Sequence, residues 1–255
     1  MGNYMTYSSD LIVLFLVGSV GGFLNVISGG GSTLTLPILI FMGLDSTVAN
    51  GTNRIGVLIQ NLFAVTSFRK QNFHEFGFSF KLSLFTLPGA IIGALVSTRI
   101  SDAWFQDILG VIMIGIVLTM LLPKMNKPFS EEDFKNNPHR WLIYPAMFVI
   151  GFYGGFIQVG VGFIFMTSLY HILRISLVYV NMHKVFIIFI YTIPSLIVFA
   201  LTGNVKWGYG LVLAAAMALG AWFGAIASVK GGEKFIRYVL MVSILIIALK
   251  LLGVF

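Results

Sequence analysis

The sequence predicts an all-α integral membrane protein built from two inverted repeats, each a broken-helix hairpin followed by three transmembrane helices. Three observations predict it. The 255 residues are 58% hydrophobic and only 10% charged, with a mean hydropathy of +0.95, and long, nearly charge-free runs are transmembrane helices. The two halves match: Gly21 falls on Gly151, Ile27 on Ile157, Gly30 on Gly160 and Leu39 on Leu169 at a spacing of 130, and Gly89-Ala90-x-x-Gly93-Ala94-x-x-Ser97-x-Arg99 falls on Gly220-Ala221-x-x-Gly224-Ala225-x-x-Ser228-x-Lys230 at a spacing of 131. Finally, the first apolar segment of each half is interrupted by glycines, and such interruptions at matching positions of two halves point to a transporter's substrate site.

Taken in order, helices are predicted at 10–28, 33–42, 46–68, 76–98 and 104–122, then at 141–158, 162–173, 177–201, 208–229 and 235–254. Residues 1–122 form the first repeat, 123–140 a polar cytoplasmic connecting loop and 141–255 the second repeat. The loop contains Pro123, Pro128, Pro138 and the acidic run Glu131-Glu132-Asp133. The first apolar run, Leu11 to Ser28, has the look of a signal peptide. It lacks a basic start and leads into glycines that recur in the second half, so it is read as retained.

Residues 10–42 as one helix would be about 50 Å long, too long for a hydrocarbon core of about 30 Å. A kinked single crossing and a hairpin with Gly29, Gly30 and Gly31 at its tip remain. Basic residues arbitrate. With the hairpin, Arg69, Lys70, Lys81, Lys124, Lys127, Lys135, Arg140, Arg174, Lys230, Lys234 and Arg237 share one side, and only Arg99, Lys206 and Lys250 the other. That is eleven against three, whereas the single crossing divides them nine against five. The hairpin is preferred. It places the richer side in the cytoplasm and both termini outside, in a multi-pass protein of a bacterial-type inner membrane. An odd number of full crossings per half then inverts the halves.

The Gly-Ala patterns at Gly89, Gly93, Gly220 and Gly224 are packing positions, where small residues let helices approach closely. The run Gly29–Gly31 is different, because successive glycines break a helix. Unpaired backbone at membrane depth is tolerated only when buried in protein or lining a cavity.

Two charges fall inside predicted spans, Arg54 and Lys184, at a spacing of 130. An intramembrane cation is costly and a functional candidate by default. The competing reading is snorkelling, since two turns is within reach of a long side chain. Polar neighbours Asn53 and His183 favour a shared interior site. Asn25, Ser28, Gly29, Gly30, Gly31, Ser32 and Thr33 form the first tip, with Ser32-Thr33 as candidate N-cap residues and the half-helix N-terminus as an anion site. Gln158, Gly160 and Gly162 form the second, with fewer hydroxyls. These residues are the expected substrate-binding set.

The nine carboxylates lie at span edges or in loops, which argues against a buried acidic relay or a cation site built from acids. His183 is the one neutral titratable group beside a candidate site, able to sense or carry a proton. With no Cys there is no disulfide framework and no thiolate metal site. No metal or cofactor is expected. The net charge of +7 does not indicate nucleic acid, because the basic residues flank apolar runs as membrane anchors do. An intramembrane enzyme would need paired carboxylates, a His-rich site or a serine with a base. No such cluster stands out, and the protein is expected not to be an enzyme. A secondary transporter of a small anion is the first reading and a passive anion channel the second; the bilayer and the anion are the expected partners. Substrate, coupling ion (proton or sodium), direction and oligomeric state stay open.

The segments Gly22-Phe23-Leu24-Asn25-Val26-Ile27-Ser28-Gly29-Gly30-Gly31, Leu36-Pro37 and Ala49-Asn50-Gly51-Thr52-Asn53-Arg54, with Gly151-Phe152-Tyr153-Gly154-Gly155-Phe156, Gly160-Val161-Gly162 and His183-Lys184 in the second half, resemble the TauE/SafE family of sulfite exporters and toluene-sulfonate uptake permeases. The resemblance covers nearly the whole chain. It implies an integral membrane transporter of small anions, especially sulfite, sulfoacetate and sulfonates. The departures lie in the second half, where Thr167 replaces the counterpart of Pro37 and Gln158-Val159 precedes Gly160.

Overall fold

The computed structural model describes residues 2–109, 111 and 137–251, and these form helices and connecting turns with no strand. In chain order the helices are α1 (Gly2–Ile27), α2 (Ser32–Phe41), α3 (Ser46–Lys70) and α4 (Phe76–Ser97). A 3-10 turn at Arg140–Leu142 leads into α5 (Ile143–Phe156). Then follow α6 (Val161–Ser168), extended by a π-helical turn at Leu169–Leu173, α7 (Leu177–Leu201) and α8 (Trp207–Leu251). Inside α8, Gly232 adopts φ 60 and ψ −163 and splits it in two, at the boundary expected between 208–229 and 235–254. The backbone is also helical at 102–109. The rest of the expected 104–122 helix, and most of the 123–140 connection, lies outside the described residues.

Among the described residues, four segments are long and apolar enough to cross a membrane: Asp10–Ile27, Phe76–Ser97, Leu177–Leu201 and Trp207–Ile236. Large apolar side chains such as Ile12, Leu16, Phe80, Leu95 and Leu211 remain exposed on them, as lipid-facing residues do. Helix α3 is the exception. It buries Asn50, Thr52, Asn53, Arg54, Gln60, Asn61 and Ser67. It packs chiefly on α8 and α7, so this polar surface meets protein rather than hydrocarbon. Helix α1 starts at Gly2, ahead of the apolar run, because hydropathy marks where lipid-compatible sequence begins and not where helical hydrogen bonding does.

Each half lends its first helix to the other. Helix α1 packs on α8, and α5 on α4. The glycines make this contact. A β-carbon on Gly89 would lie 2.1 Å from the Phe148 carbonyl oxygen, one on Gly93 2.0 Å from that of Phe152, and one on Gly155 2.0 Å from that of Ala90. In the other pair, Gly22 would meet the Met217 oxygen at 2.3 Å and Gly220 that of Ser19 at 1.9 Å. Backbones approach this closely only where one side has no side chain. The contacts advance together along both chains, so α4 runs parallel to α5 and α1 parallel to α8.

The break after α1 turns the chain back. A β-carbon on Gly31 would meet the Gly21 carbonyl oxygen at 1.9 Å, and one on Gly21 would lie 2.8 Å from Thr35 Cγ2. In a continuous helix, Gly21 and Thr35 would stand about 21 Å apart at 1.5 Å per residue. The first segment is therefore a hairpin, not a kinked crossing. After α5 the Tyr153 hydroxyl donates to the Val159 carbonyl oxygen at 2.5 Å, closing the second turn.

Candidate functional site

The two hairpin tips meet. A β-carbon on Gly29 would fall 2.3 Å from the Gly162 carbonyl carbon, and one on Gly162 2.3 Å from Gly29 Cα. Gly30 faces the ring of Phe163. Gly29 (φ 82) and Gly160 (φ 70) are left-handed, a conformation glycine adopts without steric cost. The tips thus bring together the N-termini, the positive dipole ends, of half-helices α2 and α6.

Breaking a helix also orphans the carbonyls of the half that ends there. Each half's buried cation caps the half-helix of the other. Arg54 Nη1 donates to the Gly154 oxygen at 3.1 Å and Nη2 to that of Gly155 at 2.5 Å, at the end of α5. Lys184 Nζ donates to the Asn25 oxygen at 3.2 Å and that of Val26 at 2.8 Å, at the end of α1. Positive charge is favourable at a helix C-terminus. Both cations are fully enclosed, so neither snorkels.

The reciprocity extends further. Asn50 Nδ2 donates to the Phe156 oxygen and to Ser97 Oγ, and Asn181 Nδ2 to the Ile27 oxygen and to Ser228 Oγ. Asp102 Oδ1 accepts from the Ser46 amide at 2.6 Å, and Glu233 Oε1 from the Leu177 amide at 3.0 Å. The donors and their side-chain partners keep a spacing of 131, while the accepting carbonyls (Asn25, Val26 and Ile27 against Gly154, Gly155 and Phe156) keep one of 129, so Arg54 and Lys184, spaced by 130, fall one residue from either register. Their long side chains absorb the difference and reach equivalent carbonyls.

The two cations differ in what they have left. An ammonium has three donors, and Lys184 uses the third on Asn181 Oδ1 at 2.8 Å. The Arg54 Nε–H has no partner among the described residues, and the guanidinium lies 4.6 Å from the centre of the Phe199 ring. A buried donor left unpaired costs about 1–3 kcal/mol. The Tyr191 hydroxyl stands against the α-carbon of Gly154, whose β-carbon would be 2.7 Å from it. Arg54 and Tyr191 therefore border the same residue at the end of α5, just ahead of the second tip. Gln158 Nε2 contacts Thr192 Oγ1 at 3.4 Å, next in sequence to Tyr191.

The other expected residues divide. Asn25 lies buried against Gly31. Asn53 Oδ1 accepts from Thr35 Oγ1 at 2.7 Å, tying α3 to the first half-helix. Ser28 Oγ donates to the Leu24 oxygen at 2.8 Å. His183 turns instead to α4, with Nδ1 2.7 Å from Ser79 Oγ and its ring edge-on to Phe78. The expected N-cap is not formed by Ser32 or Thr33. Gly31 holds the cap position with no side-chain bond, and the Thr33 hydroxyl donates to the Gly30 oxygen. The helix starts one residue too early for either hydroxyl to reach its first amides. Asn50, Asn181 and Tyr191 are not among the residues expected from sequence. The spacing of 131 flags the two asparagines. Tyr191 falls opposite Gln60 in that spacing, and a polar position shared by the halves is its only signal.

Two broken-helix hairpins, buried cations on the orphaned carbonyls and lipid-compatible outer faces define an integral membrane protein of the transporter class. The chain belongs to the TauE/SafE sulfite exporter family, whose model matches residues 14–251. It is similar to the probable membrane transporter protein ORF9 of Sinorhizobium sp, 26% identical over 243 residues that cover 95% of this chain and 92% of the relative. A probable membrane transporter protein of Haemophilus influenzae is 29% identical over 232 residues, 89% and 88% of the two chains. YfcA of Escherichia coli, also named a probable membrane transporter protein, is 27% identical over 242 residues, 94% and 88%. No solved structure matches the chain.

Proposed function

We propose that the protein is a secondary transporter of a small anion, of the sulfur oxyanion or sulfonate type, working by alternating access between two inverted repeats of the cell membrane. The observation that carries the anion is Arg54. Its buried, unpartnered Nε–H belongs to a side chain that, like the Tyr191 hydroxyl, borders Gly154 at the end of α5, and Gly154 in turn adjoins Val161 at the start of half-helix α6. A charged donor in a water-poor setting is matched by an anionic acceptor. The family's name supplies the sulfur class. The packing of tip on tip favours a carrier over a passive channel, because passage requires the tips to part.

Inversion is supported by the direction of the helices. Through the hairpin and the short connections at 42–45 and 71–75, α4 runs opposite to α1. Because α4 is parallel to α5, α1 and α5 run in opposite directions. The basic residues at the ends of α3 and the π-helical turn, and at the starts of α4 and α5, then share one face, the cytoplasmic one. Both termini fall outside. Reporter fusions at the C-terminus and within 123–140 should report opposite sides, and a cytoplasmic C-terminus would overturn the topology.

A thermal-shift series on purified protein tests the substrate class. Sulfite, thiosulfate or a sulfonate should raise the melting temperature with concentration, as a ligand of the folded state does, while carboxylates should not. A carboxylate that stabilises where every sulfur anion fails would overturn the sulfur assignment.

A further inference from the structure

Where α4 and α5 begin, a cleft of about 380 Å3 opens between Phe78, Arg140, Trp141, Ile143, Tyr144 and Leu173. It follows from the packing described above. Parallel helices place their first turns side by side, and the Lys81 ammonium accordingly lies 5.5 Å from the centre of the Tyr144 ring. Arg140 and Lys81 are exposed, and neither has a carboxylate partner among the described residues. Trp141 is 59% exposed, at the junction between the connection and the first turn of a membrane helix, where an amphipathic ring marks the headgroup level. The cleft therefore joins Arg140 in its wall, and Lys81 beside its Tyr144, to apolar and aromatic surface, with no carboxylate paired to either cation among the described residues. The cations call for an anion. The walls reward a ligand with an apolar body, which a hydrated inorganic ion lacks. Basic pockets between membrane helices hold anionic headgroups for this reason.

We propose that this cleft binds an anionic phospholipid, its phosphate held by Arg140 and Lys81 and its glycerol and upper acyl carbons resting on Trp141 and Tyr144. The site is separate from Arg54 and needs only membrane residence, so its failure and that of the transport reading are distinguishable. The test is a melting series of purified protein in neutral detergent with added phosphatidylglycerol, phosphatidylcholine or inorganic phosphate. Phosphatidylglycerol should raise the melting temperature at concentrations where the other two do not. Lys81→Gln with Arg140→Gln should weaken the phosphatidylglycerol response by about tenfold or more in concentration, the scale set by two surface cations near an anionic headgroup. Lys230→Gln with Lys234→Gln, which removes the same charge at exposed positions elsewhere, should leave it intact. Should the double variant fail to fold, each single variant is read in its place and should weaken the response about fivefold. Equal stabilisation by phosphatidylcholine overturns the proposal, as does equal stabilisation by phosphate, which would make the cleft a free-anion site. A full response in the cleft variants, or an equal loss in the control pair, overturns it too.

Discussion

Arg54→Gln should abolish anion-dependent stabilisation and transport, whereas Lys184→Gln should lower stability and leave the anion response of the surviving protein in place. The two cations hold matching posts, each on the carbonyl end of the other half's broken helix. Their donor counts separate them. Lys184 has all three donors engaged, so an arriving anion finds none free. Arg54 retains a buried Nε–H without a partner. Losing a hydrogen bond from a charged donor costs about 1.5–3 kcal/mol, or roughly 10- to 150-fold in affinity. At Lys184, two carbonyl bonds are lost at about 1–2 kcal/mol each inside a membrane. Melting temperature with and without sulfite, together with uptake or export in vesicles, reads both variants. An undiminished anion shift in Arg54→Gln would remove Arg54 from the site. A shift abolished in well-folded Lys184→Gln would make the two cations equal partners in binding.

Valine at the tips should divide by what each new side chain strikes. Gly29→Val and Gly162→Val should yield almost no folded protein. Their β-carbons would sit 2.3 Å from opposing backbone, against about 3.5–4.0 Å for carbon atoms in contact, and at Gly29 the φ of 82 adds the left-handed cost for a branched residue. Backbone cannot step aside as a side chain can. Gly93→Val strikes the Phe152 carbonyl and should also lower the amount of folded protein. Gly30→Val meets the far end of the Phe163 ring at 2.5 Å. A ring can swing, so this variant should fold in good part and fail in transport, because the displaced ring belongs to the opposite tip. Folded yield by size-exclusion chromatography and transport in the same preparations separate the cases. Normal folding of Gly29→Val would mean that the tips do not pack, and normal transport by Gly30→Val would take that tip out of the pathway.

What the sequence determined by itself is the membrane class, the all-helical order with most of the described helix boundaries to within a few residues, and the positions of the glycine breaks. These follow from local properties. Apolar runs need lipid, and glycine runs end helices. It also marked Arg54 and Lys184 as interior candidates, because a charge in an apolar span turns inward to protein unless it can reach the headgroups. Only the tertiary structure decided which groups the charges answer. Arg54 reaches carbonyls 100 residues away in the other half, and Lys184 reaches back across 158 and 159 residues. No local pattern specifies such a partner. The same exchange made Gly29 and Gly162 neighbours, turned His183 away toward Ser79 and brought Tyr191 beside Arg54 at the end of α5. It also separated two cations that look alike in sequence. Whether a donor is spent depends on how many acceptors surround it in space, and that number is set by the packing of one half against the other.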